Sequence, residues 1–290
     1  MNSELELSKV TVAGASGVIG SNLCKTLVEA GVEVYGLGRD LRKLQEVADS
    51  LAGCPGKFVP IPLTSIGPDG WENAVKTINR QASHIDVFVH AIGVIVPGGV
   101  LELTELEIQR IVQTNFVSAV YASRAVLPDM IARGKGRFIV VGSLGGLLPM
   151  PYEALYCASK FALRGFCLSL QEELLPTGVS VSLLSPGAVD GAMLKEEGAD
   201  WRAAPAFAQP LLDAETVARA AIRLMFSQQA ELLVPRRDRI FAAMMNVFPG
   251  LFSLASPFLR RSGMRRLRRY RKTASPEGSK YATECYGVSI

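Results

Sequence analysis

The feature that most constrains the fold is a short β-rich run near the amino terminus that leads directly into three spaced glycines. Residues 9–13 (KVTVA) are followed at once by Gly14, Gly17 and Gly20, and then by a helical pattern. Gly14 permits a tight turn, Gly17 lets a pyrophosphate approach the backbone, and Gly20 allows close helix packing. Free N–H groups at the start of such a helix face the anion. The segment therefore predicts the first strand, turn and helix of a dinucleotide-binding domain.

The residue after the second predicted strand bears on the choice of dinucleotide. The run 32–38 (VEVYGLG) is followed by Arg39, at a position where a carboxylate would hydrogen-bond a ribose diol. A guanidinium can instead pair with a 2′-phosphate through two hydrogen bonds. Asp40 comes one residue later and is expected either to reach a ribose hydroxyl or to cap the next helix. The sequence thus favours NADP(H) over NAD(H).

A second group of residues predicts a proton-transfer site. Tyr156 and Lys160 are four positions apart in the run 155–160 (LYCASK), so on a helix they project from the same face. The Lys160 ammonium is expected to favour the phenolate of Tyr156 and to bring its pKa of ~10 nearer to neutrality. Ser143 follows an apolar run and so lies at the carboxyl end of a predicted buried strand, where open parallel sheets bind ligands. An amphipathic surface helix is the alternative interpretation of the Tyr–Lys pair taken alone.

Together these motifs resemble those of the short-chain dehydrogenase/reductase family, of the single-domain reductase type, over residues 8 to about 235. The chain also carries Asn115 in the run 113–116 (QTNF) and a proline-glycine turn in the run 185–189 (SPGAV), both of which match the family pattern. The resemblance implies an α/β fold with a doubly wound, Rossmann-type parallel sheet flanked by helices. A basic helical tail is expected at the carboxyl end.

The resemblance also implies roles for individual residues. Tyr156 would be the general acid in reduction, and Lys160 would lower its pKa and hold the nicotinamide ribose. Ser143 would hydrogen-bond the substrate carbonyl oxygen, and Asn115 would position a water in the proton relay. Two donors and a nearby cation stabilise the charge that hydride transfer leaves on a carbonyl oxygen. The cofactor-binding residues that the resemblance implies are Gly14, Ser16, Gly17, Ile19, Gly20, Arg39, Leu63, Ala91, Gly93, Tyr156, Lys160, Pro186, Gly187 and Val189.

The chain departs from the family pattern in ways that bear on cofactor affinity rather than on chemistry. The glycine spacing is that of a larger branch that modifies sugar nucleotides, and Ala13 replaces a threonine before the first glycine. The run 90–93 (HAIG) stands where the family has Asn-Asn-Ala-Gly. Pro62 and Leu63 occupy the place of an aspartate that contacts adenine, and Gly191 replaces a threonine that binds the carboxamide.

Composition indicates a folded, cytosol-facing enzyme. Of 290 residues, 49% are hydrophobic and 20% charged, and seven predicted strands alternate with helical stretches. The amino terminus is acidic and polar, so no signal peptide is predicted. Two histidines and five cysteines show no metal-ligand spacing, and no metal site is expected. We expect a catalytic domain over residues 1–240, a tail over 241–272 and disorder over 273–290, in a cytoplasmic homo-oligomer.

The tail changes composition abruptly. Residues 241–259 carry no charge, whereas residues 236–272 contain eleven Lys or Arg against one acid, Asp238. Prolines at 249 and 257 are expected to break the helix twice, which favours two short helices in a membrane interface with arginines on anionic headgroups. A lid over the substrate cleft and a membrane span are the alternatives. No nucleic-acid-binding fold accompanies the basic run, so no nucleic acid is expected to bind.

The sequence therefore predicts an NAD(P)H-dependent oxidoreductase that interconverts a ketone and a secondary alcohol on a small, apolar, lipid-like substrate. Two other functions remain open at this stage. A nucleotide-sugar epimerase or dehydratase is favoured only by the glycine spacing. A non-catalytic NADP(H)-binding protein tethered to a membrane is favoured by the changed residues at positions 62 and 90.

Overall fold

A seven-stranded parallel sheet forms the centre of the computed structural model, which describes residues 9–248 and 250–274. Its strands are β1 (Lys9–Ala13), β2 (Glu33–Gly38), β3 (Lys57–Pro62), β4 (Val87–His90), β5 (Gly136–Val141), β6 (Val179–Pro186) and β7 (Glu231–Val234). Their order across the sheet is β3-β2-β1-β4-β5-β6-β7. The order reverses between β1 and β4, and a reversal of this kind opens a crevice at the carboxyl ends of the strands.

Helices cover both faces of the sheet, as the predicted doubly wound fold requires. They are α1 (Val18–Glu29), α2 (Leu41–Ser50), α3 (Pro68–Ala82), α4 (Glu105–Val112), α5 (Ser118–Arg133), α6 (Ala154–Leu174), α7 (Ala192–Glu197), α8 (Ala214–Met225), α9 (Asp238–Val247) and α10 (Gly250–Ala274). One apolar cluster joins α3, α5 and α6 to the sheet, and a second joins α1, α2 and α8 to its other face. The predicted fold class is confirmed.

The strands at the centre of the sheet are buried on both faces, which explains their continuous apolar sequences. Every residue of β6 is buried, and so is every residue of β4. Polar residues at the ends of these strands are therefore candidates for a functional site. His90 is the last residue of β4, and Ser143 is the second residue after β5, so both lie at the crevice edge.

The apolar part of the tail forms two helices that pack on the enzyme. As predicted, the chain breaks between α9 and α10, around position 249. The predicted second break is wrong, because α10 continues through Pro257 into the basic run. Pro257 lies on the exposed side of the helix, where water can satisfy the carbonyl that loses its partner, while the opposite side is held by packing.

Close contact with a 3₁₀ helix holds α10 in place. The 3₁₀ segment Trp201–Ala208 lies against α10 so closely that a Cβ on Gly263 would fall 1.7 Å from the Ala204 carbonyl oxygen. Within the described residues, no helix combines the length and the apolar character needed to cross a bilayer. The predicted domain boundary at 240/241 falls inside α9 and stays a prediction, and residues 275–290 of the predicted disordered segment lie outside the described residues.

The glycine at the α10 contact should not tolerate a methyl group. Gly263→Ala is expected to lower the free energy of unfolding by about 3 kcal/mol, because backbone rather than a flexible side chain must move. Gly165→Ala is the matched control: Gly165 is exposed on α6 with nothing within 4 Å of a built Cβ. That substitution should stabilise by about 0.5–1 kcal/mol. Urea unfolding of both variants makes the comparison, and equal effects would contradict the described packing.

Candidate active site

The glycine turn after β1 has the geometry expected of an anion-binding loop. Gly14 has φ +85°, and a Cβ on it would lie 2.8 Å from the Ala91 carbonyl oxygen. A Cβ on Gly20 would lie 2.1 Å from the Gly14 carbonyl oxygen. No side chain caps the start of α1, which follows Gly17. The N–H groups of its first turn are therefore available to a phosphate group.

A cavity of about 440 Å³ lies at the carboxyl ends of the strands, where their order reverses. Twelve of the predicted site residues line it: Gly17, Ile19, Gly20, Arg39, Ala91, Gly93, Ser143, Tyr156, Lys160, Pro186, Gly187 and Val189. These residues come from five separate segments, at or after the carboxyl ends of β1, β2, β4, β5 and β6. The structure thus brings the predicted cofactor contacts and the predicted proton-transfer residues to one cavity.

Four predicted site residues do not line the cavity. Gly14 lies in the turn beneath it, and Ser16 lies beside β2, 3.4 Å from a Cβ built on Gly38. Leu63 is buried in the apolar cluster on the α3 side of the sheet. Asn115 is fully buried behind the cavity wall. Contacts of these residues with a cofactor stay predictions.

The tyrosine is protonated in this environment. Burial raises the pKa of Tyr156 above its ordinary value, a hydrogen bond with Ser143 opposes that shift, and the carboxyl groups of Glu197 and Glu153 add to it. The predicted lowering of the pKa towards neutrality is not what this structure shows. Helical spacing predicts that Lys160 is near the ring, but it does not reveal how completely the phenol is removed from water. Ser143 is itself held by the Gly145 N–H, which donates to Oγ at 3.0 Å.

Lys160 is a buried cation with one protein acceptor. Its Nζ lies 5.8 Å from the centre of the Tyr156 ring and donates to the Val141 carbonyl oxygen at 3.2 Å. The residue is only 4% exposed, and no acidic side chain in the described part of the chain pairs with it. Burial lowers the pKa of Lys160 to about 8.

Asn115 holds the site together rather than lining it. A short π-helix, Gln113–Val117, interrupts the path from α4 to α5 and turns this side chain inward. Its Nδ2 donates to the Val94 carbonyl oxygen at 2.9 Å and to Ser159 Oγ at 3.0 Å, while its Oδ1 accepts from Val94 N–H at 2.7 Å. The side chain therefore ties the segment after β4 to α6, the helix that carries Tyr156. Its predicted role in positioning a water stays a prediction.

Two departures from the family pattern have structural explanations. His90 is buried, and its Nε2 lies 3.2 Å from Ser118 Oγ, so it joins β4 to α5. Burial lowers the pKa of His90 to about 3, which keeps the ring neutral. Gly191 lines the cavity, and a Cβ there would lie 2.7 Å from Val18 Cγ2 at the start of α1. A threonine at that position would require Val18 to move.

The two charged residues after β2 have different surroundings. Asp40 Oδ1 accepts hydrogen bonds from the backbone N–H groups of Arg42 and Lys43, at 3.0 and 3.2 Å, and so caps α2. Of the two predicted uses of Asp40, this structure shows the capping one. Arg39 is exposed and lines the cavity, and no carboxylate pairs with it within the described residues.

A buried pair of carboxyl groups was not predicted from the sequence. Glu153 and Glu197 are hydrogen-bonded to each other, both line the cavity, and both are buried. Two carboxyl groups in such contact share a proton, and burial raises the pKa of Glu197 to about 7. Glu153 immediately precedes α6 and stands three residues before Tyr156, and this closeness in sequence could have identified it. The partner comes from α7 and had no sequence signal.

The tail also contributes to the site. Phe241, Phe252 and Leu259 line the cavity from α9 and α10. Phe252 belongs to an apolar cluster that includes Leu144 and Leu148, in the loop that follows Ser143. In this structure the tail is therefore part of the cavity wall, which agrees with the lid that was the alternative to the favoured membrane-interface prediction.

The residues present fit a nicotinamide dinucleotide. The uncapped start of α1 offers backbone donors for a pyrophosphate, and the glycines leave room for it. Lys160 has three donors, of which one is used by Val141. The remaining donors suit ribose hydroxyls. Both groups lie on the same cavity, at the sheet edge where dinucleotides bind.

Comparisons with known proteins agree with this site. A family model described as short chain dehydrogenase matches residues 8–202. The chain is 36% identical to 17-beta-hydroxysteroid dehydrogenase type 1 of Homo sapiens over 193 residues, which are 64% of this chain and 58% of that protein. It is 33% identical to dehydrogenase/reductase SDR family member 7B of Danio rerio, over 62% of this chain and 60% of that protein. The chain thus spans less than two thirds of the length of these two relatives.

A bacterial relative and two solved structures are matched over more of their length. The chain is 30% identical to the 3-oxoacyl-[acyl-carrier-protein] reductase FabG of Escherichia coli K12, over 70% of this chain and 81% of that protein. The structure of an actinorhodin polyketide ketoreductase variant with NADPH is 25% identical and superposes with a TM-score of 0.71, covering 79% of this chain and 96% of that one. A metagenomic short-chain oxidoreductase in complex with NADP is 26% identical, with a TM-score of 0.65 and coverage of 78% and 96%.

Removal of the buried cation should stabilise the protein in the absence of cofactor. Because the pKa of Lys160 is about 8 when folded and 10.5 ordinarily, the unfolded chain binds more protons between these values, and wild-type stability rises with pH there. Lys160→Met should therefore raise the free energy of unfolding by about 3 kcal/mol below pH 8, with the gain declining as pH rises towards about 10.4.

Urea unfolding at several pH values measures this gain. Lys135→Met, at an exposed position, is the control and should give no comparable gain. A loss of stability in Lys160→Met at neutral pH would show that the ammonium has stabilising partners within the protein.

Proposed function

The chain belongs to the short-chain dehydrogenase family, and we propose that it is an NADP(H)-dependent oxidoreductase that interconverts a ketone and a secondary alcohol (class EC 1.1.1). The observation that carries the proposal is the cluster of Ser143, Tyr156 and Lys160 on one cavity with the uncapped glycine turn. The ketoreductases among its relatives and structural neighbours support the same reaction. Its direction would follow from the ratio of the metabolites.

Each catalytic side chain has a function that its surroundings explain. When bound, the nicotinamide supplies the hydride. As negative charge develops on the carbonyl oxygen, Tyr156 donates its proton and Ser143 donates a hydrogen bond. The raised pKa of Tyr156 keeps that proton in place until the carbonyl oxygen becomes basic. The ammonium of Lys160 then stabilises the phenolate that remains, at a distance of 5.8 Å from the ring centre.

Cofactor choice rests on Arg39. Its guanidinium lines the cavity and has no carboxylate partner within the described residues, while the neighbouring Asp40 is occupied as the cap of α2. A 2′-phosphate can accept two hydrogen bonds from such a group. The complexes of two structural neighbours with NADP and NADPH support this choice.

The substrate is proposed to be a small apolar ketone or alcohol of lipid-like character. The cavity wall beyond Tyr156 consists largely of apolar side chains, namely Leu148, Met150, Phe241, Phe252 and Leu259. Relatives named for hydroxysteroid and 3-oxoacyl substrates fit this class. We further propose a cytoplasmic homo-oligomer with peripheral contact to the cytoplasmic face of a membrane, for which the tail surface is argued below.

The two alternative functions receive less support. Epimerases and dehydratases of nucleotide sugars have an additional carboxyl-terminal domain that binds the substrate. The described residues after β7 instead form two helices that pack against the catalytic domain. A non-catalytic binding protein has no need for the buried Tyr156 and Lys160, since burial of a lone ammonium costs free energy.

Removal of the transferable proton should abolish most turnover. Tyr156→Phe keeps the ring but loses the hydroxyl, so kcat should fall at least about a hundredfold while NADPH still binds. NADPH oxidation with a panel of apolar ketones measures turnover, and fluorescence titration measures binding. Tyr152→Phe, four residues earlier and outside the cavity lining, is the control and should retain activity. Near-native turnover of Tyr156→Phe would refute the proton-donor role.

Loss of the Arg39 guanidinium should discriminate between the two cofactors. Arg39→Ala should weaken NADPH binding about ten- to a hundredfold, as expected for a lost charge-assisted pair of about 1.5–3 kcal/mol, with little effect on NADH. Arg42→Ala, at an exposed position in the first turn of α2, is the matched control. Calorimetric titration with both cofactors measures the ratio. An equal loss for NADH and NADPH would assign Arg39 a structural role instead.

A further inference from the structure

The two tail helices expose large apolar side chains on the side that faces away from the enzyme. On α9 and the residue that follows it these are Ile240, Met244, Val247 and Phe248, spaced at i, i+4, i+7 and i+8, and on α10 they are Leu254 and Phe258. All six are between 48% and 75% exposed. We call these six residues the outer apolar face. Six exposed large hydrophobic residues within nineteen positions are far more than scattered surface residues explain.

The outer apolar face is not the core side of a misplaced helix, because the opposite side is already packed. Ala242 and Met245 of α9 and Phe252 of α10 are buried in the cluster beneath Ser143's loop. Further along α10, Gly263 and Leu267 are buried against the 3₁₀ segment Trp201–Ala208. A surface helix of a water-soluble protein needs one apolar side. Here the helices have two, and only one is covered within the described residues.

Basic residues continue the outer apolar face along α10. From Leu254 the exposed positions i, i+4, i+7, i+11, i+14 and i+18 are Leu254, Phe258, Arg261, Arg265, Arg268 and Lys272. At 100° per residue they form one stripe along the helix. The four basic residues make no ion pair with a described residue, whereas Arg260 stacks on Trp201 at 5.0 Å and Arg271 donates to the Gly198 and Ala199 carbonyl oxygens. The sole acid of α9 and α10, Asp238, is buried.

We propose that this stripe and the outer apolar face together dock on the anionic surface of a lipid bilayer, with α9 and α10 lying in the interface. Exposed Phe, Leu, Ile and Val side chains would enter the boundary of the acyl chains, and the four basic side chains would pair with headgroup phosphates and carboxylates. The combination of an apolar patch and uncompensated positive charge on the same side is complementary to that surface. It is not complementary to a purely apolar protein groove.

Docking would place the two helices between the lipid and the substrate cavity. Phe241, Phe252 and Leu259 line the cavity from the inner side of the same helices. A ketone dissolved in the membrane would thus be separated from Tyr156 by one layer of helices. This consequence rests on the proposed function, but binding to lipid does not.

Flotation of the intact protein with vesicles tests the proposal. The protein should float with vesicles of phosphatidylcholine mixed with phosphatidylserine at low salt, and less with phosphatidylcholine alone or at high salt, because the charge contribution is screened while the apolar one is not. The measurement needs no turnover, so a failure of the proposed enzymatic function would leave its result unaffected.

Paired variants separate the two contributions. Arg265→Gln with Arg268→Gln should weaken partitioning about thirtyfold, at about 1 kcal/mol for each charge. The control pair, Arg80→Gln with Lys135→Gln, removes two exposed charges elsewhere and should float as wild type. Leu254→Ser with Phe258→Ser should lose flotation even at low salt, whereas Leu101→Ser with Leu106→Ser, which alters exposed leucines before and at the start of α4, should not.

Three results would overturn the proposal. The intact protein could fail to float with anionic vesicles at low salt, or the basic pair and its control could behave alike. The third is a concentration-dependent dimer, seen by sedimentation, that Leu254→Ser with Phe258→Ser dissociates in the absence of any flotation. That result would assign the outer apolar face to a second copy of the chain.

Discussion

The rest of the site depends on one buried charge, the ammonium of Lys160. The protein supplies it with a single acceptor, the carbonyl oxygen of Val141, and with no acidic partner in the described part of the chain. Burying such a group costs free energy unless hydrogen bonds satisfy it. Its remaining donors therefore favour a ligand with hydroxyl groups at this point of the cavity. The Asn115 bridge ties α6, the helix that carries Lys160, to the segment after β4.

Local sequence was sufficient for the fold, and twelve of the sixteen site residues predicted from it line the cavity. A β-rich run before spaced glycines predicts the first unit of the domain because those backbone conformations are available to few other residues, as the positive φ of Gly14 shows. The Tyr156 and Lys160 spacing predicts a shared helical face, and α6 has it. Both inferences concern residues close together in sequence, where helix geometry fixes their relative positions.

The features that sequence could not supply depend on contacts between distant segments. The direction of the Tyr156 pKa shift follows from burial, which is a property of the assembled cavity. The Glu153–Glu197 pair joins α6 to α7 across the cavity, and only one of its members has an informative spacing. Pro257 was expected to end a helix, but burial of Phe252 before it and packing of Gly263 against Ala204 after it hold α10 on both sides of the weakened turn. In each case the outcome depends on tertiary contacts, which the local sequence does not specify.

Proton uptake on NADPH binding tests most directly whether the Lys160 ammonium donates hydrogen bonds to the hydroxyl groups of the cofactor. Calorimetric titration at about pH 8.5, in two buffers of different ionisation enthalpy, counts the protons exchanged. Because acceptors that reach the ammonium raise its pKa above the value of about 8 in the free protein, binding should take up a substantial fraction of one proton. Lys160→Met should take up none at that site. Binding of NADPH to the wild type without proton uptake would contradict the account.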